Sequence, residues 1–264
     1  MNKKNIDLLM RVNRKNIWDE EPVVCFSSDI DWASECVLDL FFNIIPLDDL
    51  KMTTFVTHES KLISDLVNQK KLSRGIHPNF LPNSSHGINF NEIIETCIKF
   101  APEAIGFRSH RLFDVTDITH LLSFEYGFKY VSNLGTLMAN YIRPILHESQ
   151  LIHFPIFFED GSHLFNELGF SICPFIDYFT HPGIKIISFH PMNIVFNSPN
   201  IRYMRAIKDS LSREEFNNID QKIITNNRNN DKGIRTIMEE IINFVIKKGY
   251  KILSLDELYN QTIN

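Results

Sequence analysis

The chain has 264 residues, 44% of them hydrophobic and 22% charged, a composition that argues for a globular protein and against disorder. That length favours one large domain, since α/β barrels run to about 200–250 residues as single units, and a chain of this size needs neither disulfide nor metal simply to fold. Twenty-seven basic against 32 acidic residues leave a net charge of −5, which offers no electrostatic footprint for nucleic acid or an anionic membrane.

Residues 1–20 are basic but hold no apolar run of signal-peptide length and no small-residue cleavage site. They read as an N-terminal extension, with Ile6, Leu9, Met10 and Ile17 spaced as on a short amphipathic helix packed against the domain. Residues 21–264 read as one domain. Within it, apolar runs recur at 23–31 (VVCFSSDID), 52–58 (MTTFVTH), 74–80 (RGIHPNF), 104–110 (AIGFRSH) and 129–133 (KYVSN). Further runs follow at 151–160 (LIHFPIFFED), 185–195 (KIISFHPMNIV) and 251–255 (KILSL). They are rich in β-branched and aromatic residues and apolar on both faces, as buried parallel strands are. Helical patterns alternate with them at 33–43, 61–70, 91–100, 116–126 and 234–248, the last stopped by Gly249. Seven or eight strand–helix units predict an α/β fold, a distorted (β/α)7-8 barrel. Residues 197–233 interrupt the rhythm. They hold one helical piece at 203–211 and the Asn-rich NNRNNDKG, and read as a loop or mobile insertion bordering the active site, or as a solvated connector.

No run of 18 apolar residues occurs, so no transmembrane segment is expected. The four cysteines (Cys25, Cys36, Cys97 and Cys173) form no C-x-x-C pair and suit core positions in a reducing, cytoplasmic setting. Oligomeric state is not legible.

The ionisable residues are not scattered. Asp29, Asp31, His58, His77, His110, Asp160 and His190 all fall at or just past the C-terminal ends of predicted strands, the edge on which β/α barrels build active sites. Asp29 and Asp31 flank Ile30, and alternation along a strand would turn both carboxylates to one side. Two like charges that close favour a cation between them or divided roles, one ligand and one base. His77 and His86 stand nine apart across a Pro- and Ser-containing loop (GIHPNFLPNSSHG), long enough to fold both imidazoles onto one metal. One carboxylate with two imidazoles leaves coordination positions open for water and substrate, the catalytic pattern.

In their order along the chain, SSDIDWA, TFVTHES, GIHPNFLPNSSHG, GFRSHRLF, FFED, SFHPMNIVFN and the closing GYKILSLDEL resemble the NodB-homology polysaccharide deacetylases of carbohydrate esterase family 4. The resemblance is to their divergent WbmS-like branch, found in bacterial polysaccharide and O-antigen loci, and spans about residues 23–258. It implies a NodB-type barrel and a metal-dependent hydrolase that removes an N- or O-acetyl group from a sugar, a precursor of surface polysaccharide. Asp31, His77 and His86 would hold one divalent ion, zinc first, with cobalt, manganese, nickel or iron as alternatives. Asp29 would be the base, Arg108 its orienting partner and His190 the general acid. His110 would contact substrate or compete with His190 as the acid. Trp32 would stack on a sugar ring or fill core, and Glu159 and Asp160 would hold His190 or contact sugar hydroxyls. The chain departs from the wider family in its Asp-Ile-Asp, in the nine-residue histidine spacing and in FHPMN. A metal-dependent amidohydrolase on a non-sugar amide and a non-catalytic glycan-binding relative are the competing readings.

Overall fold

A computed structural model describes residues 3–264; the first two residues of the expected extension lie outside it. Ten strands are present: β1 (Pro22–Asp29), β2 (Met52–Val56), β3 (Leu72–Ile76), β4 (Gly106–Phe107), β5 (Tyr130–Val131), β6 (Ile145–Leu146), β7 (Ile152–His153), β8 (Ile156–Glu159), β9 (Gly183–Phe189) and β10 (Lys251–Ile252). They form one sheet in the order β6-β7-β5-β4-β3-β2-β1-β9-β8. All pairings are parallel except β6 with β7. β10 lies against the first half of β1, and β2 takes over from Phe26 onward. Every residue of β1 is buried, which is why its sequence shows no apolar–polar alternation; an apolar first part, Pro22–Phe26, gives way to the buried polar Ser27, Ser28 and Asp29.

The sheet curls strongly on itself. The stretch after β5 reaches β8 through a bridge between Gly135 and Ile156, with Ile156 N–H donating to Leu134 O and Thr136 N–H donating to Ile156 O. The result is the expected distorted β/α barrel. Strands β4 and β5 touch so closely that a Cβ on Gly106 would sit 2.0 Å from the Tyr130 ring.

Local departures from the sequence reading have local causes. The run 151–160 splits into β7 and β8 at Pro155, which has no N–H for the ladder. The run 185–195 is strand only to Phe189. Pro191 then opens a helix, Pro191–Phe196, where its missing N–H is harmless. Strand β6 was not anticipated. The helix Ile234–Lys248 ends at Gly249, which has φ +67°.

The segment 197–233 is not a structureless loop. It folds as three short helices, Tyr203–Asp209, Arg213–Asn217 and Gln221–Asn227, closed at the neck by its asparagines. Asn197 Nδ2 donates to Asn229 O (3.2 Å) and Asp231 O (2.7 Å), and Asn229 Nδ2 donates back to Asn197 O (3.0 Å). At the N-terminus, the helix Lys3–Asn13 is tied to the C-terminal helix Leu255–Ile263 by Arg11, which donates to Ile263 O at 2.7 Å. Among the described residues, no helix is long and apolar enough to cross a membrane.

Candidate metal centre and active site

The site starts where β1 stops. Asp29 is the last residue of the strand, and Asp31 does not continue it. Ala33 N–H donates to Ile30 O at 2.8 Å, closing a turn whose central residues, Asp31 and Trp32, have φ of 42° and 58°. Side chains rarely adopt that region, at about 1–3 kcal/mol each, and Trp32 N–H is pinned there by Thr57 Oγ1 at 3.1 Å. The two carboxylates therefore share the site because of a strained turn, not through the strand alternation expected from Asp-Ile-Asp.

Three ligand-type atoms converge past the strand ends. Asp31 Oδ1 lies 3.3 Å from His77 Nε2 and 3.0 Å from His110 Nδ1, and all three atoms fall within 4.8 Å of one another. His77 follows β3 and His110 lies just past β4. These strands are neighbours, and their pairing continues outward through Arg108 N–H to Ile76 O and His110 N–H to Pro78 O. Burial alone would raise the Asp31 carboxyl, but hydrogen bonds from His110 and His77 and the charge of His190 outweigh it and hold the group well below the usual range. One carboxylate oxygen and two imidazole nitrogens suit zinc and its first-row neighbours. The residues therefore fit a catalytic divalent ion, although His77 Nδ1 is buried without a hydrogen-bond partner among the described residues, where ligating histidines usually have one.

His86, the expected third ligand, is not in this cluster, and His110 stands in its place. Both His86 nitrogens are engaged elsewhere. Nε2 donates to Thr57 O at 2.8 Å, and Nδ1 accepts from Asn79 N–H at 3.1 Å and faces Cys97 Sγ at 3.3 Å. Burial pushes its pKa down to about 4, so a neutral imidazole staples the 77–89 loop to the strand ends. His58 is also outside the cluster, its Nδ1 on Thr57 Oγ1.

Arg108 is completely buried beneath the cluster. Its Nη1 lies 2.8 Å from Asp29 Oδ1, 2.7 Å from Ser188 Oγ and 3.1 Å from Ser27 Oγ. Nη2 and Nε donate to Ser132 Oγ and O, and the guanidinium lies 4.5 Å from the Phe55 ring centroid. A buried arginine needs this saturation, since a lone buried charge costs several kcal/mol. Asp29 is thereby fixed in position, with its other oxygen, Oδ2, toward the site.

Opposite stands His190. Its Nδ1 pairs with Asp160 Oδ1 at 2.6 Å and its backbone N–H donates to Asp160 Oδ2 at 2.8 Å. Its Nε2 points inward, 3.9 Å from Asp29 Oδ2 and 3.8 Å from Asp31 Oδ2. Burial disfavours the imidazolium, but Asp160, Asp31 and Asp29 outweigh burial and raise the His190 pKa well above its ordinary value. Asp160 is fully buried and so cannot reach a sugar hydroxyl; it orients His190. Glu159 accepts from Ser162 Oγ instead.

These groups open into a cleft of about 800 Å³. Trp32 lines it, its ring centroid 5.1 Å from that of His110 and 5.5 Å from that of His86, a placement open to stacking on a sugar. The far wall comes from the insertion, through Met204, Leu211 and Phe216 among others. Sequence reasoning missed Ser27, Ser132 and Ser188 around Arg108, and missed His110 as a donor. The abnormal spacing of His77 and His86 was the available signal that another histidine completes the set.

By sequence, no curated protein matches. A crystal structure from Bordetella bronchiseptica, described as a candidate polysaccharide deacetylase involved in O-antigen biosynthesis, is similar at 26% identity and a TM-score of 0.73, over 84% of this chain and 90% of that one. A family 4 carbohydrate esterase from Bacillus anthracis aligns over 99% of this chain and 94% of its own at 14% identity and a TM-score of 0.46. Residues 26–208 match the WbmS-like polysaccharide deacetylase family, and the chain belongs to that family.

Proposed function

We propose that this protein is a metal-dependent hydrolase that removes an acetyl group from a sugar, acting in the cytoplasm on a precursor of bacterial surface polysaccharide. The observation that carries the reading is the Asp31–His77–His110 cluster flanked by two separately oriented proton carriers: Asp29 on Arg108, and His190 on Asp160. A glycan-binding relative has no need of that arrangement. Free cysteines throughout the described chain suit a reducing compartment, and the likeness to the Bordetella protein supports the polysaccharide setting.

Asp31, His77 and His110 would hold the divalent ion, zinc being the first candidate. Such an ion supplies a Lewis acid for the acyl carbonyl and lowers the pKa of water towards about 7. Asp29, fixed by Arg108, takes the proton from the attacking water. His190, with Nδ1 committed to Asp160, has Nε2 free to protonate the leaving nitrogen. Each proton transfer is worth roughly 10²–10⁴ in rate. An N-acetyl group gains most, because an amine is expelled only when protonated.

The test is acetate release from a panel of N- and O-acetylated sugars by protein loaded with zinc, cobalt, manganese, nickel or iron. Metal-dependent release is expected. A protein that binds no metal, or one that binds metal and cleaves only non-sugar amides, would overturn the reading.

A further inference from the structure

The charge of the cleft is divided. At the reacting end its lining acid is Asp31, with Asp29 and Asp160 buried behind the wall. The charged side chains lining the remainder are Arg111, Arg205, Lys208 and Arg213 against a single acid, Asp209. Arg205 is paired with Asp209 at 3.0 Å. Arg111, Lys208 and Arg213 face the cleft with no carboxylate partner among the described residues. This is a concentration of unpaired cations in a chain whose net charge is −5.

The wall is also built rather than incidental. Lys208 and Arg213 come from the insertion, whose neck is fastened by the Asn197–Asn229 exchange and by Tyr203 Oη donating to Asn227 O at 2.6 Å. The Lys208 ammonium sits 5.3 Å above the Phe216 ring, and Phe216 itself lines the cleft. Arg111 lines the same cleft from another part of the chain, directly after His110, with φ 58°. At about 800 Å³ the space lies in the upper part of the usual range for small-molecule sites, about 300–1,000 Å³, and one acylated sugar would leave much of it empty.

We infer that the sugar is presented on a phosphate or diphosphate carrier, whose anionic oxygens are held by Arg111, Lys208 and Arg213 while the acyl group lies at the Asp31–His77–His110 end. This rests on the deacylase reading for the sugar, but the anion site stands on its own geometry. Unpaired cations in a cleft attract and orient phosphate oxygens, whereas a neutral polymer has nothing to engage them. A nucleoside diphosphate and a polyprenyl diphosphate share this chemistry.

The test uses metal-loaded protein and the double variant Lys208→Ala/Arg213→Ala. Both positions are exposed, and Arg111 is left alone because it adjoins His110. The first readout is the ratio of kcat/KM for UDP-N-acetylglucosamine to that for the uncharged methyl glycoside of N-acetylglucosamine. The wild type favours the diphosphate, and the variant lowers the ratio about 10- to 100-fold, as expected for loss of one or two charge-assisted contacts. A ratio near one in the wild type, or the same ratio in both proteins, overturns the inference. The second readout is calorimetric binding of pyrophosphate, which needs no turnover. Binding should weaken about tenfold or more in the variant, and equal affinity overturns the inference. Weakened pyrophosphate binding together with no hydrolysis of any sugar would sink the deacylase reading and leave the anion site standing. UDP bound more tightly than pyrophosphate supports a nucleoside carrier. Equal affinities, with acetate released from a polyprenyl-diphosphate sugar, support a lipid one.

Discussion

Replacing His110 and His86 by alanine, one at a time, separates the metal donor from the structural staple. His110 Nδ1 belongs to the three-atom cluster with Asp31 and His77. A structural zinc site of four donors binds with about 10–16 kcal/mol, or about 2.5–4 kcal/mol per donor. His110→Ala should therefore weaken metal binding roughly 100- to 1,000-fold. The metal-free protein should change little in stability, since His110 is only half-buried. His86→Ala should do the reverse. It leaves Thr57 O and Asn79 N–H without their partners, at about 1–3 kcal/mol for each buried group, and opens a cavity where a buried ring stood. A total of about 3–5 kcal/mol is in line with other large-to-small core changes. For a domain of this size each kcal/mol moves Tm by about 2–4 °C, so a fall of about 6–20 °C is expected with metal still bound. Metal content after dialysis and thermal melts with and without added zinc read both effects. A His110→Ala protein that keeps a full equivalent of metal, beside a folded His86→Ala protein that loses it, would refute the assignment.

Asp29→Asn should retain metal and lose roughly 10²–10⁴ in kcat, measured by acetate release alongside metal analysis. Asp160→Asn should reduce kcat by a similar factor with little change in KM, because it loosens His190 without touching substrate; an equal loss in KM would place Asp160 at the sugar instead. Stability should depend on pH through His86. Its pKa is about 4 in the folded protein against 6.5 for a free histidine, so between those values the unfolded chain binds the extra proton and stability falls as pH falls. The full difference is about 3 kcal/mol. Urea unfolding at pH 7 and pH 4.5 should show it in the wild type and show less of it in His86→Gln; identical pH slopes would argue against a buried neutral His86.

Much of the fold was legible in the chain. The runs at 23–31 and 52–58 carry their burial in their composition, because strands covered on both faces are mostly apolar and lack strict alternation. The helix Ile234–Lys248 declares both its periodicity and its glycine stop. That Asp29, Asp31, His77, His110, Asp160 and His190 cluster at strand ends was equally visible, since these are the points where apolar runs give way to ionisable side chains. The tertiary structure decided which of them touch. His77 and His110 meet because β3 and β4 are neighbours, and sheet order is a long-range property with no local signature. Asp31 reaches them through a turn of positive φ, which a sequence of Asp-Ile-Asp-Trp does not announce. His86 is removed from the ligand set by Thr57, Asn79 and Cys97, which are distant in sequence or hidden in a loop. The insertion showed the same division. Its asparagines read as a sign of mobility, yet once the chain is folded their amides have backbone carbonyls to bind, and they fasten the wall that completes the cleft.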